Sequence, residues 1–331
     1  MNVLVLGGTR FIGRALVAEL MEAGHEVLVV HRGQHEPAGV PTTRHVHADR
    51  RALNAHRDAL AAFGADAVVD LSAMTEADAV GALEALRGDM RFVAVSSIDV
   101  YRAFSSVGEG AVSDPVPLTE ESPRRQGPPP DSTYVPEGWD YDPYRYEKIE
   151  VEREYLARGG TVCRLPMVYG ANDYTRREEF VLRRVRAGRK QIPIGAADWL
   201  WSRGYVAEVT RGLRLALESE FSAEVFNLAE PSCASVRLWM EQILAAADSE
   251  SELVTVPDSA LPDDLAITRT IPQHWLVDST KARDLLGWVH SDPTQCVTRS
   301  VRWHLDHPPK VADDDFSADD QALSCARRAA H

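Results

Sequence analysis

Cysteine is scarce in this chain, and the four present, Cys163, Cys233, Cys296 and Cys325, stand far apart. No pair has the spacing of a zinc ligand set or a disulfide framework, so a reducing, cytoplasmic setting is expected and a metal is not. Long apolar runs are missing too. None approaches the roughly 18 residues that span a bilayer, so no membrane partner is expected. The earliest run, Asn2-Val3-Leu4-Val5-Leu6, stops at Gly7-Gly8 with no charged leader before it, and reads as a strand rather than a signal peptide. Excess positive charge is also absent: 36 Lys and Arg face 50 Asp and Glu, a formal charge of −14. Nucleic-acid affinity comes mainly from basic side chains that displace counterions, so no nucleic-acid partner is expected.

What is present is a globular composition, with 44% hydrophobic and 26% charged residues over 331 positions. Val3–Leu6, Val27–Val30, Ala67–Leu71 and Phe92–Val95 are apolar, β-branched runs without polar alternation. Strands covered on both faces of a parallel sheet look like this. Between them, Phe11–Ala23, Ala52–Phe63 and Ala77–Leu86 carry apolar residues at helical spacing. Repeated βαβ units predict a doubly wound α/β fold with its ligand at the carboxyl ends of the strands.

Residues 102–143 break that rhythm with Gly108, Gly110, Pro115, Pro117, Pro123 and Gly127-Pro128-Pro129-Pro130, and read as an irregular insertion or lid. A helix from about Pro143 to Ala157 and a strand at Thr161–Leu165 follow. Further on come an Arg-rich helix over Arg176–Lys190, a strand near Val225–Leu228, and helices over Val236–Ala247 and Val297–His304. The polar tail from about residue 309 reads as disordered.

Two motifs carry chemistry. Gly7-Gly8-Thr9-Arg10-Phe11-Ile12-Gly13 lies between the first strand and the first helix, where glycine lets backbone approach a pyrophosphate at a helix N-terminus. Tyr144-Arg145-Tyr146-Glu147-Lys148 puts a phenol and an ammonium four residues apart. On a helix they share a face, and the ammonium lowers the phenol pKa from about 10 so that it can exchange a proton with a substrate hydroxyl. Tyr146 reads as a packing neighbour. The second strand ends Val30-His31-Arg32-Gly33 with no acid, and Arg32 and Arg10 suit a 2′-phosphate, which favours NADP over NAD.

The glycine loop and the Tyr144/Lys148 pair resemble those of the extended short-chain dehydrogenase/reductase superfamily, the NAD-dependent epimerases and dehydratases. Arg10 stands at that family's middle glycine. This loop is similar to a divergent branch that includes chloroplast stem-loop-binding proteins and reductase-like bacterial proteins. The resemblance implies a Rossmann domain over 1–170, a mainly substrate-binding α/β lobe over 171–308 with segments returning to the sheet, and a homodimer. It implies Ser97, in Ser96-Ser97-Ile98-Asp99-Val100-Tyr101, as the hydroxyl partner of Tyr144, and Asp99 and Tyr101 near the substrate. It also implies that Asp49 meets the adenine, and that Leu71-Ser72-Ala73 and Pro166 run along the cofactor.

Met167 stands where many nucleotide-sugar enzymes of that family carry asparagine, and it lacks the amide hydrogen bond. Arg203, in Trp201-Ser202-Arg203-Gly204-Tyr205-Val206, is implied as the contact for substrate phosphate. Lys281-Ala282 and Leu286-Gly287-Trp288 resemble the family's closing segment. The expected activity is NAD(P)-dependent epimerisation or oxidoreduction of a sugar-like or phosphorylated small molecule. Net NADPH-dependent reduction of a ketone is the alternative, and a non-catalytic cofactor-binding or RNA-associated role is a third reading.

Overall fold

The computed structural model describes residues 1–34, 44–86, 88–108, 110–127, 146–310 and 315–329. In chain order the elements of the first half are β1 (Asn2–Leu6), α1 (Phe11–Glu22), β2 (Glu26–His31), β3 (Arg44–His47), α2 (Arg57–Ala61), β4 (Ala67–Asp70), α3 (Glu76–Ala85), β5 (Arg91–Ser97), α4 (Arg102–Gly108), α5 (Lys148–Ala157) and β6 (Thr161–Leu165). There follow β7 (Met167–Tyr169), α6 (Glu179–Arg186), β8 (Gln191–Ile194), β9 (Arg203–Tyr205), α7 (Val206–Glu218), β10 (Val225–Asn227), α8 (Val236–Ala246), β11 (Glu252–Thr255), α9 (Thr280–Leu286), α10 (Pro293–Asp306) and α11 (Ser317–Ala329).

Seven strands form one parallel sheet in the order β10-β6-β5-β4-β1-β2-β3. The apolar runs of β1 and β4 are buried on both sides, which is why they lack polar alternation. One face is covered by α1, α7 and α9 through Leu16, Leu20, Val209, Leu213 and Ala282. The other is covered by α2, α3 and α5 through Leu60, Ala79, Leu83, Val151 and Tyr155. The chain leaves β1 for β2 and β3 on one side and returns to β4, β5 and β6 on the other. The strand order therefore reverses between β1 and β4, and a crevice opens at their carboxyl ends. Leu6 pairs with Asp70, so the loops after these two strands emerge side by side.

The smaller lobe pairs β8 with β11 and β7 with β9, and packs α6, α8, α10 and α11 around Leu182, Trp199, Trp239, Ile243, Val301 and Ala322. Trp199 and Trp201 stack at 5.1 Å, with Trp199 donating to the Gln273 carbonyl, so the first of these rings is core rather than cavity wall.

Several expectations change. The helix expected from about Pro143 begins at Lys148, because Glu147 is extended (φ −152°, ψ 91°) and caps it by accepting the Ile149 N–H at 2.9 Å. The helix expected over Ala52–Phe63 is a kinked 3-10 stretch, Arg50–His56, followed by the short α2. The Arg-rich helix is confined to Glu179–Arg186. Part of the expected irregular insertion is built in: it contains α4, Leu118 bridges to Val277, and Arg124 bridges to Tyr101. The tail is not all without structure. Ser317–Ala329 is helical, buries Ala322 and Leu323, and fixes Asp319 on Arg184 at 2.7 Å.

Candidate active site

A cavity of about 890 Å³ occupies the crevice, lined by Gly7, Thr9, Arg10, Phe11, Ile12 and Gly13 from the first loop and by Arg32, Asp49, Leu71 and Ser72 from the ends of later strands. The glycines are required where they stand. A Cβ on Gly13 would fall 2.2 Å from the Gly7 carbonyl oxygen, and Gly7 itself has φ +93°. Bare backbone and the start of α1 thus face the cavity, which suits a pyrophosphate. Asp49 accepts the Arg51 N–H at 2.8 Å and caps the 3-10 stretch.

Arg10 turns its guanidinium over the Tyr174 ring, 4.2 Å from the centroid, and Tyr174 also meets Phe11 edge-on at 6.4 Å. Sequence reasoning missed Tyr174, and no local signal marks it. It missed Arg50 as well, since arginine is common in this chain. Arg50 lines the cavity and forks onto Asp70 at 3.0 and 2.9 Å, reaching Ser72 Oγ at 2.8 Å. Tyr155 donates to the same carboxylate at 2.6 Å. Burial works against the Asp70 charge, but Arg50 and Tyr155 more than offset it, and its pKa lies below the ordinary carboxylate value.

Lys148 is not in the cavity wall, but it follows Glu147, which is, and its ammonium is buried. It donates to the Ala73 carbonyl at 2.6 Å and the Val95 carbonyl at 3.1 Å, just beyond β4 and near the end of β5. Burial pushes its pKa down from 10.5 to about 8, against the pull of Asp70 and Asp99. Asp99 is buried beyond Ser97 and accepts the Tyr146 hydroxyl at 2.6 Å. Burial raises its pKa despite Tyr146, Arg125 and Lys148, and its Oδ1 has no hydrogen-bond partner among the described residues. The phenol expected to be a packing neighbour therefore holds an acid at the site. Ser97 caps the turn at Ile98–Val100, its Oγ accepting the Asp99 N–H at 3.3 Å.

Arg125, also missed, braces this corner. It donates from Nε to the Asp99 carbonyl at 2.9 Å and forks onto Glu147 at 2.7 Å twice. Tyr144 lies outside the described residues.

The remaining expected residues are buried in the protein rather than walls of the cavity. Ala73 gives its carbonyl to Lys148, and Pro166 packs toward Gly204. Tyr101 donates to Asn227 Oδ1 at 2.7 Å and accepts from Arg164 at 3.0 Å. Met167 belongs to the core of the smaller lobe and pairs with Arg203 across β7 and β9. Arg203 donates to the Ala234 carbonyl at 2.8 Å and lies over Trp239, while its buried Nη1 has no hydrogen-bond partner among the described residues.

A parallel doubly wound sheet with a glycine turn at its switch point and a long cavity beneath it is a Rossmann-type dinucleotide-binding architecture. The chain belongs to the NAD dependent epimerase/dehydratase family, whose model matches residues 3–229, and it is accordingly an NAD-dependent enzyme of that kind. Among curated relatives, a chloroplast stem-loop binding protein of 41 kDa from Arabidopsis thaliana is 26% identical, over 98% of this chain and 84% of its own length. A 2′-dehydrokanamycin reductase from Streptomyces kanamyceticus is 39% identical over a shorter stretch, 30% of this chain and 28% of its own. Among solved structures, a UDP-glucose 4-epimerase from Bifidobacterium longum, in complex with NAD+ and UDP, is similar with a TM-score of 0.69 at 16% identity, covering 93% of this chain and 99% of that one. No helix among the described residues is long and apolar enough to cross a membrane.

Proposed function

We propose that this chain oxidises and reduces a carbinol centre of a sugar-like molecule, as an epimerase or oxidoreductase, with Tyr144 as acid/base, Lys148 as its electrostatic partner and Ser97 as the holder of the reacting oxygen. The observation that carries the reading is Lys148, an ammonium buried next to Glu147 and Val95 of the cavity wall and held by the Ala73 and Val95 carbonyls. Because the helix begins only at Lys148, its pairing with Tyr144 rests on the resemblance of the motif and not on a shared helical face. Such a cation lowers the pKa of a nearby phenol, so Tyr144 accepts the hydroxyl proton as the substrate carbon is oxidised and returns it on reduction. The bound nicotinamide supplies the hydride acceptor and donor.

Arg32 and Arg51 line the adenosine end of the cavity, and no acid follows β2 through Gln34, which supports NADP over NAD. Arg203 Nη1 and Asp99 Oδ1, buried and without a hydrogen-bond partner among the described residues, support substrate-holding roles for these two residues; Tyr101 and Met167 are proposed near the substrate on the resemblance alone. The test is mass spectrometry of the nucleotide released on acid denaturation, followed by assay with UDP-hexoses and with keto-sugars including keto-aminoglycosides. NADP or NAD near one per chain, with conversion of at least one sugar class, is expected. A nucleotide-free chain that also fails to bind added NAD(P) contradicts the reading.

A second reading is net reduction of a ketone. The local similarity to a 2′-dehydrokanamycin reductase and the loss of the amide at Met167 favour it. Stoichiometric consumption of reduced cofactor distinguishes it from epimerisation without net turnover. The stem-loop-binding relative brings a third reading, against which the −14 charge stands. Salt-sensitive RNA retention in filter binding would support that role.

A further inference from the structure

The edge of the sheet carries a cluster that the cavity chemistry does not use. β2 and β3 run parallel with Val29 opposite His45 and His31 opposite His47. Side chains alternate along a strand, so His45 and His47 share a face with His31. One ring nitrogen from each of the three lies within 4.8 Å of the other two. The rings meet edge to face, with centroids 4.9, 4.9 and 6.5 Å apart and planes at 80°, 78° and 70°.

We propose that His31, His45 and His47 form a binding site for one divalent transition-metal ion of the zinc, cobalt or nickel type, with solvent completing the coordination. Imidazole is the preferred ligand of these ions, and three of them with an open position is a recurrent coordination set. His31 Nε2 and His45 Nδ1 already lie 2.7 Å apart, so a single proton is shared between two nitrogen atoms directed at one point. Metal binding breaks this hydrogen bond, and the two nitrogen atoms move apart to about 3.4 Å. His31 Nδ1 accepts the Gly33 N–H at 3.1 Å, which puts the proton of the neutral His31 ring on Nε2. Capture through Nε2 therefore moves that proton to Nδ1 and gives up the Gly33 bond, leaving His31 a neutral ligand with no net proton released.

The geometry is within reach. Tetrahedral coordination at about 2.0–2.1 Å places ligand nitrogen atoms about 3.4 Å apart. Ring rotations must close a separation of up to 4.8 Å by about 1.4 Å and open the 2.7 Å pair by about 0.7 Å. His47 is exposed and His45 half-buried, which gives an ion a path from solvent, while His31 is buried and touches the cofactor cavity. β3 is the last strand of the sheet and pairs with β2 alone. A bound ion would clamp this edge immediately before Arg32 and just before Asp49, both in the cavity wall.

The test uses the full chain, stripped with chelator, desalted and titrated with CoCl2 alone. We expect one equivalent bound with the intense visible bands of a four- or five-coordinate ion, and displacement of those bands by Zn²⁺. His47→Gln, at an exposed position, should weaken binding at least about tenfold, and His45→Gln/His47→Gln should remove the bands. A pale, six-coordinate aquo spectrum in the unaltered chain overturns the proposal, and so do bands that persist in the double variant. The first of these requires no variant, so a folding defect cannot obscure the result. Because the readout is the metal spectrum, its outcome is independent of the reading of the nicotinamide cavity.

Discussion

In the sheet lobe, Asp70 and Glu152 are both fully buried and both meet an arginine fork, Arg50 at 3.0 and 2.9 Å and Arg164 at 2.8 and 2.7 Å. In the smaller lobe, Glu178 and Glu230 are buried without such a fork. Glu178 accepts the Ser300 hydroxyl at 2.5 Å, and Glu230 accepts the Tyr169 hydroxyl at 2.5 Å. Burial lifts both of these carboxyls to about 7. The smaller lobe can build a fork, as Arg184 between Asp264 and Asp319 shows. Its glutamates nonetheless sit where a neutral carboxyl is the better occupant. Charge is thus fixed at Asp70 and Glu152 and left titratable at Glu178 and Glu230. Asp99 resembles the second group although it hangs from the first.

The sharpest break of this contrast is Arg50→Ala, which leaves Asp70 charged and buried with only Tyr155 and backbone groups to answer it. A loss of about 3–5 kcal/mol in chemical denaturation is expected, with much of it recovered in Arg50→Met/Asp70→Leu. A loss below about 1 kcal/mol would mean that water reaches this fork.

Glu178→Gln probes the opposite case. The folded-state pKa lies above the unfolded one, so the favourable contribution is complete below about pH 4.5 and is lost as pH rises through about 7. At pH 8 the unaltered chain holds a buried, poorly compensated charge. The glutamine variant should be more stable there by about 2–3 kcal/mol, converging with the unaltered chain near pH 5. Thermal melts at the two pH values check this, and equal stability at pH 8 would refute it. Smallest in effect is Ser300→Ala, which removes the hydrogen bond to Glu178. We expect a loss of about 1 kcal/mol at pH 8 and an upward move of the pH midpoint in the same melts.

What is legible in the sequence is what local pattern encodes. The buried strands announce themselves by unbroken apolar runs, and the glycine turn by its place after the first of them. β3 has no such signal, since Arg44–His47 is a polar edge strand with no apolar run. Arg184 reads in sequence as part of a solvated face. Its carboxylate partners lie 80 and 135 positions away, a separation no periodicity reports. The same is true of Asp319, whose acidic surroundings read as a disordered tail. At the site, Lys148 is singled out by its motif and Ser97 by the resemblance alone; the roles given to both remain proposals. Arg125 is hidden in a glycine- and proline-rich stretch, and the Tyr146–Asp99 bond joins two segments that only the fold brings together. The start of α5 at Lys148 escapes as well, because Glu147 favours a helix by propensity but is held extended here by the Arg125 fork and its capping bond.

At the centre of the proposed chemistry is a phenol made acidic by the Lys148 ammonium beside a dinucleotide cavity. The most direct measurement compares Tyr144→Phe with the unaltered chain for both NAD(P) affinity and turnover of whichever sugar class the unaltered enzyme converts. We expect cofactor affinity within a factor of about three and turnover lower by about 10²–10⁴. Turnover unchanged in that variant would contradict the role given to Tyr144.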